Sequence, residues 1–149
     1  MRRKLAAGNW KMNGDAGLLA ELQTLASAQT DDAPEILICP PHPFLAHAVS
    51  ITDGSAVSIG AQDCHAAQKG AHTGDVSAAM IEGAGAIAVI VGHSERRADH
   101  HESNAQVRAK AEAAWAAGLT AILCIGESEE ERLSSGTLDI IAGQLHAST

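Results

Sequence analysis

The sequence predicts an α/β fold built on parallel strands. Five short apolar runs are continuous rather than alternating, the pattern of strands buried on both faces. Segments with helical spacing lie between them. Polar residues gather directly after four of the five runs, where the working face of a parallel sheet lies.

The first run, Leu5–Ala7, leads into Asn9-Trp10-Lys11-Met12-Asn13-Gly14. Leu18, Leu22, Leu25 and Ala26 then follow i, i+4, i+7, i+8 and predict a helix capped by Asp15. The second run, Ile36–Cys39, ends at Pro40-Pro41, and Pro43 suits the first turn of the next helix. The third, Val57–Ala61, leads into Gln62-Asp63-Cys64-His65. A weaker helical pattern from Met80 to Ala84 precedes the fourth run, Ile87–Val91, which leads into Gly92-His93-Ser94-Glu95-Arg96-Arg97. Val107, Ala111, Ala114 and Trp115 predict a helix, with Gly118 as the residue that ends it. The fifth run, Ala121–Ile125, leads into Gly126-Glu127-Ser128, and Ile140, Ile141 and Leu145 predict a last helix after Thr137. Repeated βα units imply right-handed crossovers. Two architectures satisfy this order: a doubly wound sheet, or the first five units of an eight-unit barrel.

The chain has 149 residues, which suits one domain at roughly 100–200 residues each, and no linker divides residues 1–149. Ten Lys and Arg against 18 Asp and Glu give a net charge of −8, and only Trp10, Phe44 and Trp115 are aromatic. Nucleic acid, which needs a basic face or stacking platforms, is therefore not an expected partner. No apolar run approaches the roughly 18 residues of a membrane span. The basic start, Met1-Arg2-Arg3-Lys4, is followed only by Leu5-Ala6-Ala7, too short for a secretory signal. Cys39, Cys64 and Cys124 are odd in number and far apart, which predicts reduced thiols and a cytoplasmic chain.

Lys11, beside a strand end, can clamp an anionic substrate or a developing oxyanion. His93 precedes a helix start at Ser94 or Glu95, which favours a neutral imidazole with one N–H to donate. Ser94 has no G-x-S-x-G context and is not expected to be a nucleophile. Gly83-Ala84-Gly85-Ala86-Ile87-Ala88 matches a dinucleotide fingerprint but precedes a strand, so it reads as a tight loop. Cys64, His65 and His72 could converge, as could Asp99, His100, His101 and Glu102. Neither set has a recognised ligand spacing, and no metal is expected. Glu129-Glu130-Glu131-Arg132 reads as a solvated helix face.

At Gly8-Asn9-Trp10-Lys11-Met12-Asn13 and Val91-Gly92-His93-Ser94-Glu95-Arg96-Arg97 the sequence resembles the triosephosphate isomerase family. Gly60-Ala61-Gln62-Asp63, His72-Thr73-Gly74-Asp75-Val76-Ser77 and Cys124-Ile125-Gly126-Glu127 support the resemblance, in the family's order and spacing. It implies the TIM (β/α)8 barrel rather than the doubly wound sheet. It also implies interconversion of dihydroxyacetone phosphate and glyceraldehyde 3-phosphate through an enediolate, without cofactor or metal. By resemblance, Asn9 and Lys11 bind substrate, and His93 is the family's neutral electrophile, which polarises the carbonyl. Glu95 would be a buried partner of Lys11. The loop from His65 to Asp75 would reach into a second subunit and place Thr73 near its active site, which implies a homodimer with Cys64, His65, Thr73, Gly74 and Asp75 at the interface.

His72, Asp75 and His100-His101 depart mildly from the family pattern. Length departs most, because a barrel of this kind needs about 250 residues. The family's catalytic glutamate follows a sixth strand, and its last two units carry the phosphate loops. The 149-residue chain alone is therefore expected to be inactive without a complementing C-terminal piece. Its outer strand edges and barrel interior would be open to water, favouring self-association as the alternative outcome.

Overall fold

The computed structural model describes residues 4–28, 34–134 and 136–149. Met1, Arg2 and Arg3 of the basic start lie outside them. The elements run β1 (Leu5–Asn9), α1 (Ala16–Ser27), β2 (Glu35–Cys39), a 3-10 turn (His42–Phe44), α2 (Leu45–Thr52), β3 (Val57–Ala61), α3 (Ala78–Gly83), β4 (Ala88–Val91), α4 (Ser94–Asp99), α5 (Asn104–Ala116), β5 (Thr120–Leu123), α6 (Glu129–Leu133) and α7 (Thr137–Ser148). All strand pairs are parallel, in the order β1-β2-β3-β4-β5. A doubly wound sheet reverses its strand order part-way. The consecutive order instead makes the wall of a barrel, and five units of it are present.

β2, β4 and β5 each feed two apolar clusters, as the period-2 alternation of a strand requires, whereas β3 feeds only the helix-facing one because Ser58 and Gly60 stand on its other face. Ile36, Ile38, Val57, Ile59, Val89, Val91, Ala121 and Leu123 face the helices, where they meet Leu22, Leu45, Ala48, Ile81, Val107, Ala111 and Ala114. Leu37, Cys39, Ala88, Ile90, Ile122 and Cys124 line the concave side. β2, β4 and β5 are thus apolar on both faces because each face packs against something different. β1 feeds neither cluster: its Leu5, Ala6 and Ala7 are exposed, since among the described residues it pairs only with β2. The strand bounds also differ from the apolar runs. β1 extends through the polar Asn9, β4 excludes the exposed Ile87, and β5 ends at Leu123, because ladder pairing rather than hydropathy sets where a strand stops.

The helix termini follow local chemistry. Asp15 Oδ1 accepts from the Leu18 N–H at 3.0 Å and starts α1, although its buried face centres on Leu19 and Leu22. Ser103 and Gln106 form a reciprocal capping box on α5, and Ser128 and Glu131 form one on α6. Glu131 is therefore more than a solvated charge. Trp115 does not join the buried stripe of α5; it is half exposed. α7 lies against α5.

Gly83–Ala88 is the tight loop the sequence implies: Gly85 turns the chain at φ +91°, and a Cβ there would lie 2.8 Å from Val49 Cγ1. Gly118 (φ +81°) has no atom within 4 Å of such a Cβ. Left-handed backbone costs a non-glycine residue roughly 1–2 kcal/mol, and overpacking adds roughly 1–3 kcal/mol. Gly85→Ala should therefore lower the unfolding free energy by about 3 kcal/mol and Gly118→Ala by about 1 kcal/mol. Urea unfolding with an unchanged m-value would show it.

Candidate active site

Asn9 closes β1, and its Oδ1 accepts from the Lys11 N–H at 2.8 Å. That short turn puts Lys11 in left-handed backbone, φ 54°, where a non-glycine residue is strained. Gln62, just past β3, holds it there. Its Nε2 donates to Lys11 O at 2.9 Å and to Cys39 O at 2.8 Å, tying the ends of β1, β2 and β3 together. Asn13 Nδ2 adds a bond to Trp10 O at 2.9 Å.

The second half of the site follows β4. Gly92 turns the chain at φ +70°, and His93 caps α4, which begins at Ser94 as the sequence implies. The Glu95 N–H donates to His93 Nδ1 at 3.2 Å. An amide can only donate, so Nδ1 is an acceptor and the neutral ring carries its proton on Nε2. The Glu95 carboxylate lies 3.4 Å from the same nitrogen but is engaged by Lys11 Nζ at 2.7 Å. That Lys11 contact, helped by the lysine's charge, holds the Glu95 carboxyl below its ordinary value. Glu95 is Lys11's partner but is not buried; both side chains are about half exposed, at 49% and 52%.

Asn9, Lys11, Gln62, His93 and Glu95 line one cleft of about 590 Å³ at the carboxyl ends of the strands. Arg97, outside the cleft, braces the turn before α4: Nε donates to Gly92 O at 2.8 Å and Nη1 to Asn104 Oδ1 at 2.7 Å.

Behind the cleft lies a charge cluster that the sequence reading missed. Lys110 Nζ donates to both Asp63 oxygens at 2.8 Å and also to Glu102 Oε1. Arg96 Nε reaches Glu102 Oε1 at 2.6 Å and Asp63 Oδ2 at 3.0 Å. Burial pushes the Glu102 carboxyl up, but the bonds from Lys110 and Arg96 outweigh it and leave it below the usual range. Lys110 sits on the apolar stripe of α5 between Val107 and Ala111, and that misplaced charge was the available signal. Glu102 therefore turns inward and does not gather with Asp99, His100 and His101.

All three cysteines are free thiols. Burial, then the nearby Cys124, pushes Cys39 up to about 12, and burial lifts Cys64 to about 11. In the β3–α3 loop Thr73, Gly74 and Asp75 are exposed and His65 is half-buried, but Cys64 is only 2% exposed. Its thiol faces Lys110 O at 3.6 Å, so it anchors the loop from within instead of presenting itself to a partner. Cys64 does not join His65 and His72; Asp75 does.

Five units of a parallel barrel, with a lysine and a histidine brought together at the carboxyl ends of its strands, define part of a (β/α)8-barrel enzyme scaffold. A family model described as triosephosphate isomerase matches residues 4–149. The chain is 57% identical over 148 residues to the triosephosphate isomerases of Dinoroseobacter shibae and Ruegeria pomeroyi. Those alignments cover 99% of this chain and 60% and 59% of the relatives. A crystal structure of triosephosphate isomerase from Bartonella henselae superposes with a TM-score of 0.94 at 48% identity, covering 99% of this chain and 62% of that one. The chain belongs to the triosephosphate isomerase family and spans about 60% of the length of these curated relatives.

Two outcomes are expected. Lys110→Met should destabilise the chain by about 3–5 kcal/mol, because it strands buried carboxylates, while Arg108→Met, from a surface pair with Glu112, should change stability by less than about 1 kcal/mol. Chemical denaturation of both variants checks this. The Lys11–Glu95 pair contributes above the ordinary carboxylate range and is lost as pH falls through the depressed Glu95 value. An NMR titration of Glu95 should show that depression, and Lys11→Met should raise the value back.

Proposed function

We propose that this chain forms the lysine–histidine part of a triosephosphate isomerase active site, which interconverts dihydroxyacetone phosphate and D-glyceraldehyde 3-phosphate through an enediolate. The observation that supports it most is the meeting of Lys11, from the end of β1, with the His93–Glu95 turn, from the end of β4, over one cleft. Asn9 and Lys11 bind the triose phosphate, and the Lys11 ammonium offsets its negative charge. A base takes a proton from the carbon beside the carbonyl. The C–H electrons form the carbon–carbon double bond, and the carbonyl pair moves onto oxygen. His93, with Nδ1 already accepting from Glu95 N–H, offers Nε2–H to that oxygen. His93 gives that proton to the first oxygen and takes one from the hydroxyl on the neighbouring oxygen, whose electron pair re-forms a carbonyl as the base returns its proton to the former carbonyl carbon. No cofactor takes part.

The base belongs to a unit beyond the five described here: by family resemblance it is a glutamate after a sixth strand. Turnover therefore needs a polypeptide supplying the remaining units and their phosphate loops. The exposed loop at Thr73, Gly74 and Asp75, with His65 at its base, makes the interface of a cytoplasmic homodimer. A second reading rests on the exposed β1 and on β5, which pairs on one side only among the described residues: copies of a partial barrel join through these edges.

A coupled assay tests the reading. The 149-residue chain should show no turnover alone and should gain it when mixed with a polypeptide carrying the last three βα units of a family member. His93→Gln and Lys11→Met should each reduce the restored rate, His93→Gln by about 10²–10⁴-fold. No restored turnover, with sedimentation showing only self-association, would favour the edge-pairing reading.

A further inference from the structure

Arg97 carries a charge that the isomerase chemistry leaves without a task. It lies in α4, half-buried, and among the described residues no ion pair engages it. Its partners are uncharged oxygens on three different elements. Nε donates to Gly92 O, just past β4, at 2.8 Å; Nη1 donates to Asn104 Oδ1, at the start of α5, at 2.7 Å; Nη2 donates to Cys124 O, just past β5, at 3.4 Å. The last anchor is itself fixed. The Cys124 N–H donates to Val91 O at 3.0 Å. Two residues on, Gln144 of α7 both donates to Gly126 O and accepts from the Gly126 N–H, each at 2.8 Å.

Nη1 and Nη2 are enough to tie α5 to β5. The Nε bond does something else, because Gly92 O belongs to the peptide that leads into His93. The Arg97 backbone N–H donates to His93 O at 3.0 Å, and that carbonyl belongs to the peptide that leaves His93. One residue therefore holds the planes on both sides of His93. Between two planar peptides only φ and ψ are free. The φ of −55° and ψ of 143° at His93 are thus set, and with them the direction of its Cα–Cβ bond. The approach is close: a Cβ at Gly92 would stand 3.0 Å from Arg97 Nη2 and 2.7 Å from Val107 Cγ1.

His93 needs that support. It caps a helix of six residues, too short to hold its own first turn firmly. The bond that orients its ring, from the Glu95 N–H to Nδ1, is 3.2 Å long, at the far end of the normal range. A small turn of either peptide breaks it. We propose that Arg97 is a positioning residue for His93: its fork sets the Gly92–His93 peptide against α5 and β5, which keeps Nδ1 on the Glu95 N–H and leaves Nε2–H for the cleft. A lysine keeps the charge but is a single point donor and cannot reach all three oxygens. The part this plays in turnover rests on the isomerase reading; the hold on the ring does not.

The test is long-range 1H–15N NMR of the His93 ring in the 149-residue chain, at a pH where the ring is neutral. The coupled assay is run on the same chain mixed with the polypeptide carrying the last three βα units. His93 should show one tautomer, with Nδ1 bare and Nε2 protonated. Arg97→Lys should mix the tautomers and draw the two nitrogen shifts together. It should also lower the restored kcat by about 10²-fold. KM should stay nearly unchanged, since Asn9 and Lys11 are untouched. Asn104→Ala removes one anchor and leaves the arginine. It should move the ring shifts and kcat the same way, more weakly, and it keeps the test open if Arg97→Lys does not fold. Arg108→Lys, in the exposed pair on α5, should change neither. A single tautomer retained in Arg97→Lys, or in Asn104→Ala where only that variant folds, would overturn the proposal. So would an unchanged kcat, or a rise in KM as large as the fall in kcat. If the unsubstituted chain restores no turnover, the isomerase reading fails and the ring shifts alone decide what Arg97 does.

Discussion

The curl of the sheet depends on the absence of a side chain at Gly60. A Cβ there would lie 2.9 Å from Cys39 Sγ and 3.2 Å from Ala88 O. β2 and β4 can therefore approach across β3 on the concave side only because β3 presents hydrogen at that point. The β3–β4 ladder is short, Gly60↔Ala88 and Ala61↔Val89, so the two parts of the wall meet at this glycine. Two residues later, Gln62 takes advantage of the approach by spanning from Cys39 O to Lys11 O. A side chain at Gly60 would push β2 away and remove the geometry that one amide now bridges.

The site then rests on two kinds of electrostatics. At the cleft, Lys11 and Glu95 are half exposed and their attraction is screened by water; their value is positional, since they fix each other beside His93. Behind it, Asp63, Glu102, Arg96 and Lys110 sit in a drier region where an unmatched charge would be costly. Two carboxylates and two cations balance there. Asp63 directly follows Gln62 and Arg96 directly follows Glu95, so the buried cluster steadies the backbone on both sides of the cleft. The strained Lys11 backbone is held in place by this surrounding framework.

Much of this was legible locally. Asp15 and the glycine at 118 marked helix ends because capping involves atoms only a few residues apart. Lys11, His93 and Glu95 stood out by motif, and the structure brings them together, although Glu95 is more exposed than its partner role implied. Gln62 was visible as a polar residue after a strand, but its bonds reach 51 and 23 residues back along the chain. Nothing in a local pattern specifies such a reach. The same holds for Lys110, 47 residues from Asp63. His72 and Asp75 share one turn, so their meeting could be read locally; His65 joins them only because the loop closes at Val76 and Ser77.

The sequence by itself determined the parallel βα repeat, the helix caps, the reduced character of the chain's cysteines and the residues that bear chemistry. These follow from hydropathy period, capping groups and composition, which act over a turn or a strand. Periodicity left the strand order open and the family resemblance implied the barrel's consecutive order, which the structure has; only the tertiary structure decided that β1 is exposed, and that Cys64 faces inward while Asp75 takes its place beside His65 and His72. The reason is physical. A strand's hydropathy records that both faces are covered, but not by which neighbour, and strand order is chosen by close approaches such as that at Gly60.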